Sequence, residues 1–185
     1  MDFLEMVLAR ESCRAYSDTP VTREQLMKIV DAGRLSPSGC NAQPWKFMIV
    51  DEADALVKMR DALTLDNGAT ACAWGYNVPA FIAIVEQTAN VMPMAREHYG
   101  TTQRFAPGDI AMAALNMCYE AMSLGLSTCI VGMNEQKKME KNFGIPEGCE
   151  VRIVLAVGYA AENTPPRPKK RKPIEEVCCF NEWQD

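Results

Sequence analysis

The chain carries one histidine, His98, and none of its eight cysteines forms a Cys-x-x-Cys pair. Structural zinc sites need clustered cysteine and histidine ligands, so a zinc module is excluded. Neither G-x-G-x-x-G after a strand pattern, nor G-x-x-x-x-G-K-[ST], nor G-x-S-x-G occurs. The familiar nucleotide-binding loops and the serine-hydrolase elbow are therefore absent. No pair of carboxylates stands out for acid–base work, and a lone histidine in a polar stretch reads as a surface residue. No apolar run approaches the roughly 20 residues that a membrane helix needs. Positive charge is in deficit as well: the net charge is −5, which argues against nucleic acid as a general partner. Repeats and low-complexity tracts are also missing.

What is present suits one ordinary domain. The chain has 185 residues, 48% of them hydrophobic and 23% charged, enough apolar material for a substantial core. Its start, Met-Asp-Phe-Leu-Glu-Met, is acidic and lacks the basic region of a secretory signal, so a cytoplasmic location is expected. Cys118, Cys129 and Cys149 lie in apolar stretches, where cysteine behaves as a small hydrophobe, and reduced structural thiols follow from that placement.

Apolar spacing predicts a helix over 2–9 and a clearer one over 22–35, opened by Thr22 and Gln25 at capping-box spacing and closed by Pro37. Strands are expected at 46–50, 79–85, 127–133 and 151–159, the last apolar enough to be buried on both faces. Helices are expected at 52–63, 107–126 and 134–143. Residues 86–106 show no steady period and read as loop with local helix. The alternation implies a central sheet with helices on both faces. The helix over 107–126 is apolar on more than one side, which leaves part of its surface for a second subunit.

Four segments carry chemistry. Arg10, Ser12 and Arg14 place two guanidiniums around a hydroxyl, a set that grips phosphate, although a helix end with solvated charges looks the same. Arg167-Pro168-Lys169-Lys170-Arg171-Lys172-Pro173 is either a solvated basic tail or a stiffened segment adding cations to one phosphate site. Pro37-Ser38-Gly39-Cys40-Asn41-Ala42-Gln43-Pro44-Trp45 crowds helix breakers and side-chain amides into nine residues, more constraint than a connecting turn needs. Ser127-Thr128-Cys129-Ile130-Val131-Gly132-Met133 is a strand pattern ending at a glycine, where backbone N–H groups could meet a ligand edge.

In this order and combination, R-x-S-x-R followed by P-S-x-x-N-x-Q-P-W resembles the FMN-dependent nitroreductase family, over nearly the whole chain. The resemblance implies an α+β fold with a central mixed β-sheet flanked by helices, and an intertwined homodimer with FMN at its interface. It implies one nitroreductase-like FMN-binding domain over residues 1–185, with 160–185 as an extended C-terminal arm. Arg10, Ser12, Arg14, Lys169 and Arg171 would hold the phosphate. Pro37, Ser38, Gly39, Asn41 and Gln43 would reach the flavin from the other subunit, and Val131 and Gly132 would lie near its reactive nitrogen. The activity implied is hydride transfer from NADH or NADPH to a nitroaromatic, quinone or related small acceptor by a ping-pong mechanism, with the flavin rather than any side chain as the catalytic group. A flavin-binding redox sensor or storage protein with little turnover is the alternative. Glu11 departs from the pattern, standing where many relatives carry a basic residue. The 86–106 region is short for a lid over the flavin.

Overall fold

The computed structural model describes residues 2–88, 93–99, 104–162, 164 and 167–183; parts of the expected 86–106 loop, namely 89–92 and 100–103, lie outside them. Four strands form one sheet: β1 (Trp45–Val50), β2 (Ala80–Glu86), β3 (Ser127–Val131) and β4 (Glu150–Gly158), in the order β1-β2-β4-β3. All three neighbouring pairs are antiparallel, so the mixed character expected of the sheet rests on one parallel bridge, Ser12 to Thr128, alongside β3.

The continuous apolar run of β2 follows from burial on both faces. Phe81, Ala83 and Val85 join one core cluster, while Ala80, Ile82 and Ile84 join the other, as the two-residue period of a strand requires. β4 divides in the same way, with Val154 and Ala156 on one face and Leu155 and Val157 on the other. Helices α2 (Arg23–Arg34) and α5 (Ala106–Ser123) cover one face with Leu26, Ile29, Ile110, Ala113 and Met117. Helices α3 (Ala53–Ala62) and α6 (Gln136–Phe143) cover the other through Met59 and Met139. Of two further helices, α1 (Phe3–Ala9) and α4 (Pro93–Tyr99), no described side chain belongs to either core cluster.

Local chemistry sets the helix ends. Thr22 and Gln25 form the expected capping box on α2, and Asp2 with Glu5 forms another on α1. At the end of α5 the N–H of Leu126 donates to Ala121 O (2.8 Å) and that of Gly125 to Met122 O (3.0 Å). This Schellman turn needs a left-handed residue, supplied by Gly125 at φ +75, and it feeds the chain straight into β3.

Several apolar side chains have no core to enter within one chain. On α1, Phe3 is 71% exposed and Leu4 and Leu8 are similarly open, although the helix touches α5 where the Phe3 and Tyr119 rings meet at a tilt of 60° with centroids 5.7 Å apart. Met112 and Leu115 lie open on the outer side of α5, as do Ile174, Val177 and Phe180 on the C-terminal segment.

Candidate functional site

The N-terminal and C-terminal basic segments meet. Residues 12–13 run beside β3, with the Cys13 N–H donating to Thr128 O at 2.9 Å. The C-terminal segment returns to the same place. The Arg167 guanidinium donates to Ser12 O at 2.7 Å, and the Lys169 ammonium donates to Arg10 O. Glu11, the departure from the family pattern, is part of this junction. Its carboxylate accepts the Arg167 backbone N–H at 2.7 Å and lies 3.6 Å from the Arg167 guanidinium. It therefore fastens the basic segment rather than only weakening the local positive field.

The result is a recess of 340 Å³ lined by Arg10, Ser12, Arg14, Lys169 and Arg171 among others. On a chain of net charge −5, so many cations around one hollow make a site for an anion. Partial burial together with the neighbouring Arg10 and Arg171 charges pushes the Lys169 ammonium below its usual range, with Glu11 opposing. An anion seated among these groups would relieve that crowding. Farther along β3, Val131 is buried, whereas Gly132 just beyond it is exposed, with open space where a side chain would stand.

The 37–45 loop is constrained in the way its composition implied. Cys40, Asn41 and Gln43 all adopt positive φ (51, 55 and 47), a conformation disfavoured for side chains and typical of functional loops. Hydrogen bonds hold it there: the Gln43 N–H donates to Ser38 Oγ (3.0 Å), and the Gln43 side-chain amide donates to Asn41 Oδ1 (3.1 Å). Ala42, Pro44 and Trp45 point inward, leaving Pro37, Cys40, Asn41 and Gln43 on the outside.

One residue that sequence reasoning missed anchors the loop. Asp109, in the first turn of α5 and only 4% exposed, accepts the Gly39 N–H on both carboxylate oxygens, at 3.1 and 3.2 Å. Burial pushes its carboxyl above the usual range, and the Gly39 N–H partly counters this. The available signal was an aspartate at the start of a helix that is otherwise apolar on its buried side.

The loop and the basic recess are not brought together within one chain. Gly39 is tied to the start of α5 and Ser12 to Thr128, just past its end, so at ~1.5 Å rise per residue the helix holds them roughly 20 Å apart. The sheet register agrees. The loop enters β1 at Trp45, opposite Glu86 and in line with Glu150, whereas Thr128 lies opposite Val157 at the other end of β4, with β3 and β1 on opposite edges.

The cysteines are free, and those in the core have the chemistry of packed thiols. Burial pushes Cys72 up to about 11 and also raises Cys118 and Cys129.

Comparison with known proteins places the chain. A family model described as the nitroreductase family matches residues 7–159. The chain belongs to the nitroreductase family. A Bacillus subtilis protein named as a candidate NAD(P)H nitroreductase is 32% identical over 209 aligned positions, covering 99% of this chain and 98% of that one. A nitroreductase family protein of Clostridium difficile 630 superposes with a TM-score of 0.81 at 25% identity, covering 99% of this chain and 100% of that chain. A Clostridium difficile R20291 protein named as an FMN-dependent nitroreductase superposes with a TM-score of 0.75 at 22% identity, covering 98% and 100% respectively. Membership of the nitroreductase family accounts for the α+β architecture and makes the chain an oxidoreductase.

Proposed function

We propose that the protein is an FMN-dependent oxidoreductase that takes hydride from NADH or NADPH and reduces a small acceptor by a ping-pong mechanism. The observation that carries this reading is the cationic recess at residues 10–14 and 167–171, placed beside a strand that ends at open Gly132. At ~3.3 Å per residue, β3 sets about 13 Å between the two, a span suited to a phosphorylated chain bearing a ring. The donor set fits FMN. Arg10, Arg14, Lys169 and Arg171 would hold the phosphate with Ser12, while the backbone at Val131 and Gly132 would border the ring. The name of the R20291 neighbour supports the cofactor, and that of the Bacillus relative supports the nicotinamide donor.

When bound, FMN supplies the two-electron chemistry. With a nitroaromatic acceptor, NAD(P)H and one proton convert the nitro group to a nitroso group, releasing NAD(P)+ and water. The chain's own residues bind and orient. The recess neutralises the phosphate dianion with charge-assisted bonds, and exposed Gly132 leaves the reacting edge clear for donor and acceptor in turn.

The reading includes a homodimer. Since α5 keeps the 37–45 loop roughly 20 Å from its own recess, the loop would border the flavin held by a second copy, and that copy's loop would border this chain's flavin in return. The exposed Phe3, Leu4, Leu8, Met112 and Leu115 give such a copy apolar surface to cover, with 160–185 as an arm continuing the single domain. Reconstitution with FMN followed by sedimentation tests both parts together. A yellow dimer with one flavin per chain, bleached by NAD(P)H and reoxidised by a quinone, is expected. Colourless protein overturns the cofactor assignment, a fully flavin-loaded monomer overturns the shared site, and a flavin that stays oxidised favours a sensor.

A further inference from the structure

A second hollow, separate from the cationic recess, lies on the outer side of the 37–45 loop. It measures 660 Å³, within the ~300–1,000 Å³ range of small-molecule sites. Its walls are the last turn of α2, the loop at 41–43, the start of β1 and the residues leaving β2. Two features distinguish it. Among the described residues it is lined by two cations, Arg34 and Lys46, and by no carboxylate, on a chain whose net charge is −5. It also has an aromatic side, where half-buried Phe47 and the rim of Trp45, itself buried in the core, stand on the same side of β1 with ring centroids 6.2 Å apart.

The polar groups are arranged for an incoming anion. Arg34 is 59% exposed, and its Nε donates to Asp31 at 2.7 Å. Its two terminal nitrogens carry no hydrogen bond among the described residues, and neither does the Lys46 ammonium. Asn41 and Gln43 pair with each other, which leaves the Asn41 amide N–H groups available. The positive φ of both residues fixes where those amides point.

We propose that this hollow binds an aromatic carboxylate, and that such anions are the protein's preferred acceptors. The carboxylate would sit against Arg34 with Lys46 nearby, and the ring against Phe47 and the edge of Trp45. Asn41 and Gln43 would border both this ligand and the flavin of the other copy. The inference rests on the FMN reading for its second half only, since binding of the anion needs no flavin.

The test compares 4-nitrobenzoate with nitrobenzene on the FMN-loaded protein. The wild type favours the carboxylate in kcat/KM, and an Arg34→Gln/Lys46→Gln double variant loses about tenfold of that preference, the scale of one charge-assisted hydrogen bond. Asp31→Asn moves the preference the other way, because it removes the group competing for Arg34. Calorimetry with benzoate, which is not reduced, gives the matching equilibrium result: weaker binding to the double variant, and weaker binding at high salt. An unchanged preference overturns the proposal. So does a variant that alters only the KM for NADPH relative to NADH, which would assign the hollow to the donor's extra phosphate. Should the double variant fold poorly, the wild type decides. Benzoate must bind about tenfold tighter than benzamide, and equal binding overturns the proposal. Loss of flavin binding in the wild type defeats the FMN reading instead, while the benzoate titration still judges this one.

Discussion

Removing the Asp109 carboxylate tests the link between fold and site most directly. Its two oxygens accept one half-buried backbone donor, the N–H of Gly39, at 3.1 and 3.2 Å. A hydrogen bond to a charged acceptor contributes about 1.5–3 kcal/mol, but burying the carboxylate has a cost that offsets part of this. Asp109→Ala should therefore lower global stability only modestly, by about 1 kcal/mol. The larger effect falls on the loop. Cys40, Asn41 and Gln43 hold left-handed conformations that cost on the order of 1–3 kcal/mol each when unsupported, so the segment relaxes once its anchor goes. A loss of about 2 kcal/mol of preorganisation corresponds to roughly thirtyfold weaker FMN binding, measurable by titrating apoprotein and following flavin fluorescence. Asp109→Asn keeps one acceptor oxygen and should recover most of the affinity. The sign with pH follows from the raised carboxyl. Just above the ordinary carboxylate range the folded state binds the proton more tightly than the unfolded state, so wild-type stability falls relative to Asp109→Asn as pH rises through that window. An Asp109→Ala protein that binds FMN within about twofold of wild type, where tens-fold is expected, refutes the reasoning.

Other perturbations separate packing from binding. Gly158→Ala would bring a methyl within 2.8 Å of both the Pro79 and Tyr16 rings, two rigid neighbours, and should lower stability by about 1–3 kcal/mol in urea denaturation. Tyr16→Phe removes a buried hydroxyl that donates to Cys13 O at 3.1 Å, so a loss of about 1 kcal/mol is expected by the same method, with little change in flavin affinity. Arg14→Ala and Lys169→Gln should each weaken FMN binding about tenfold and reduce its salt dependence, read by the same fluorescence titration, while leaving thermal stability near wild type. Identical salt slopes in wild type and both variants would remove the phosphate assignment.

Much of the fold was legible because each core element repeats its own period. The capping box at Thr22 and Gln25, the apolar run of β2 and the two-sided apolar character of β4 each encode a local decision that packing then honoured. The direction of pairing was less legible. Strands buried on both faces often belong to parallel sheets, yet every neighbouring pair among β1 to β4 here is antiparallel. Apolar continuity reports burial and says nothing about strand direction. The helix over 2–9 was expected from its stripe of Phe3, Leu4, Val7 and Leu8, but in one chain that stripe is largely exposed. Its pattern reflects a surface to be covered, and a sequence does not say by which chain.

The same division runs through the site. The sequence by itself determined the ingredients: guanidiniums around a hydroxyl, an over-constrained amide-rich loop, a strand closing on glycine, and a basic segment near the C-terminus. These are properties of residue type and short spacing, which local chemistry sets. Only the tertiary structure decided that Lys169 reaches the carbonyl of Arg10, that Glu11 fastens Arg167, and that Asp109 holds Gly39. Each of these contacts joins residues far apart in the chain, and no local preference carries information about such a meeting. The separation of loop from recess was decided at the same level, because the length of α5 and the register of four strands fix it jointly.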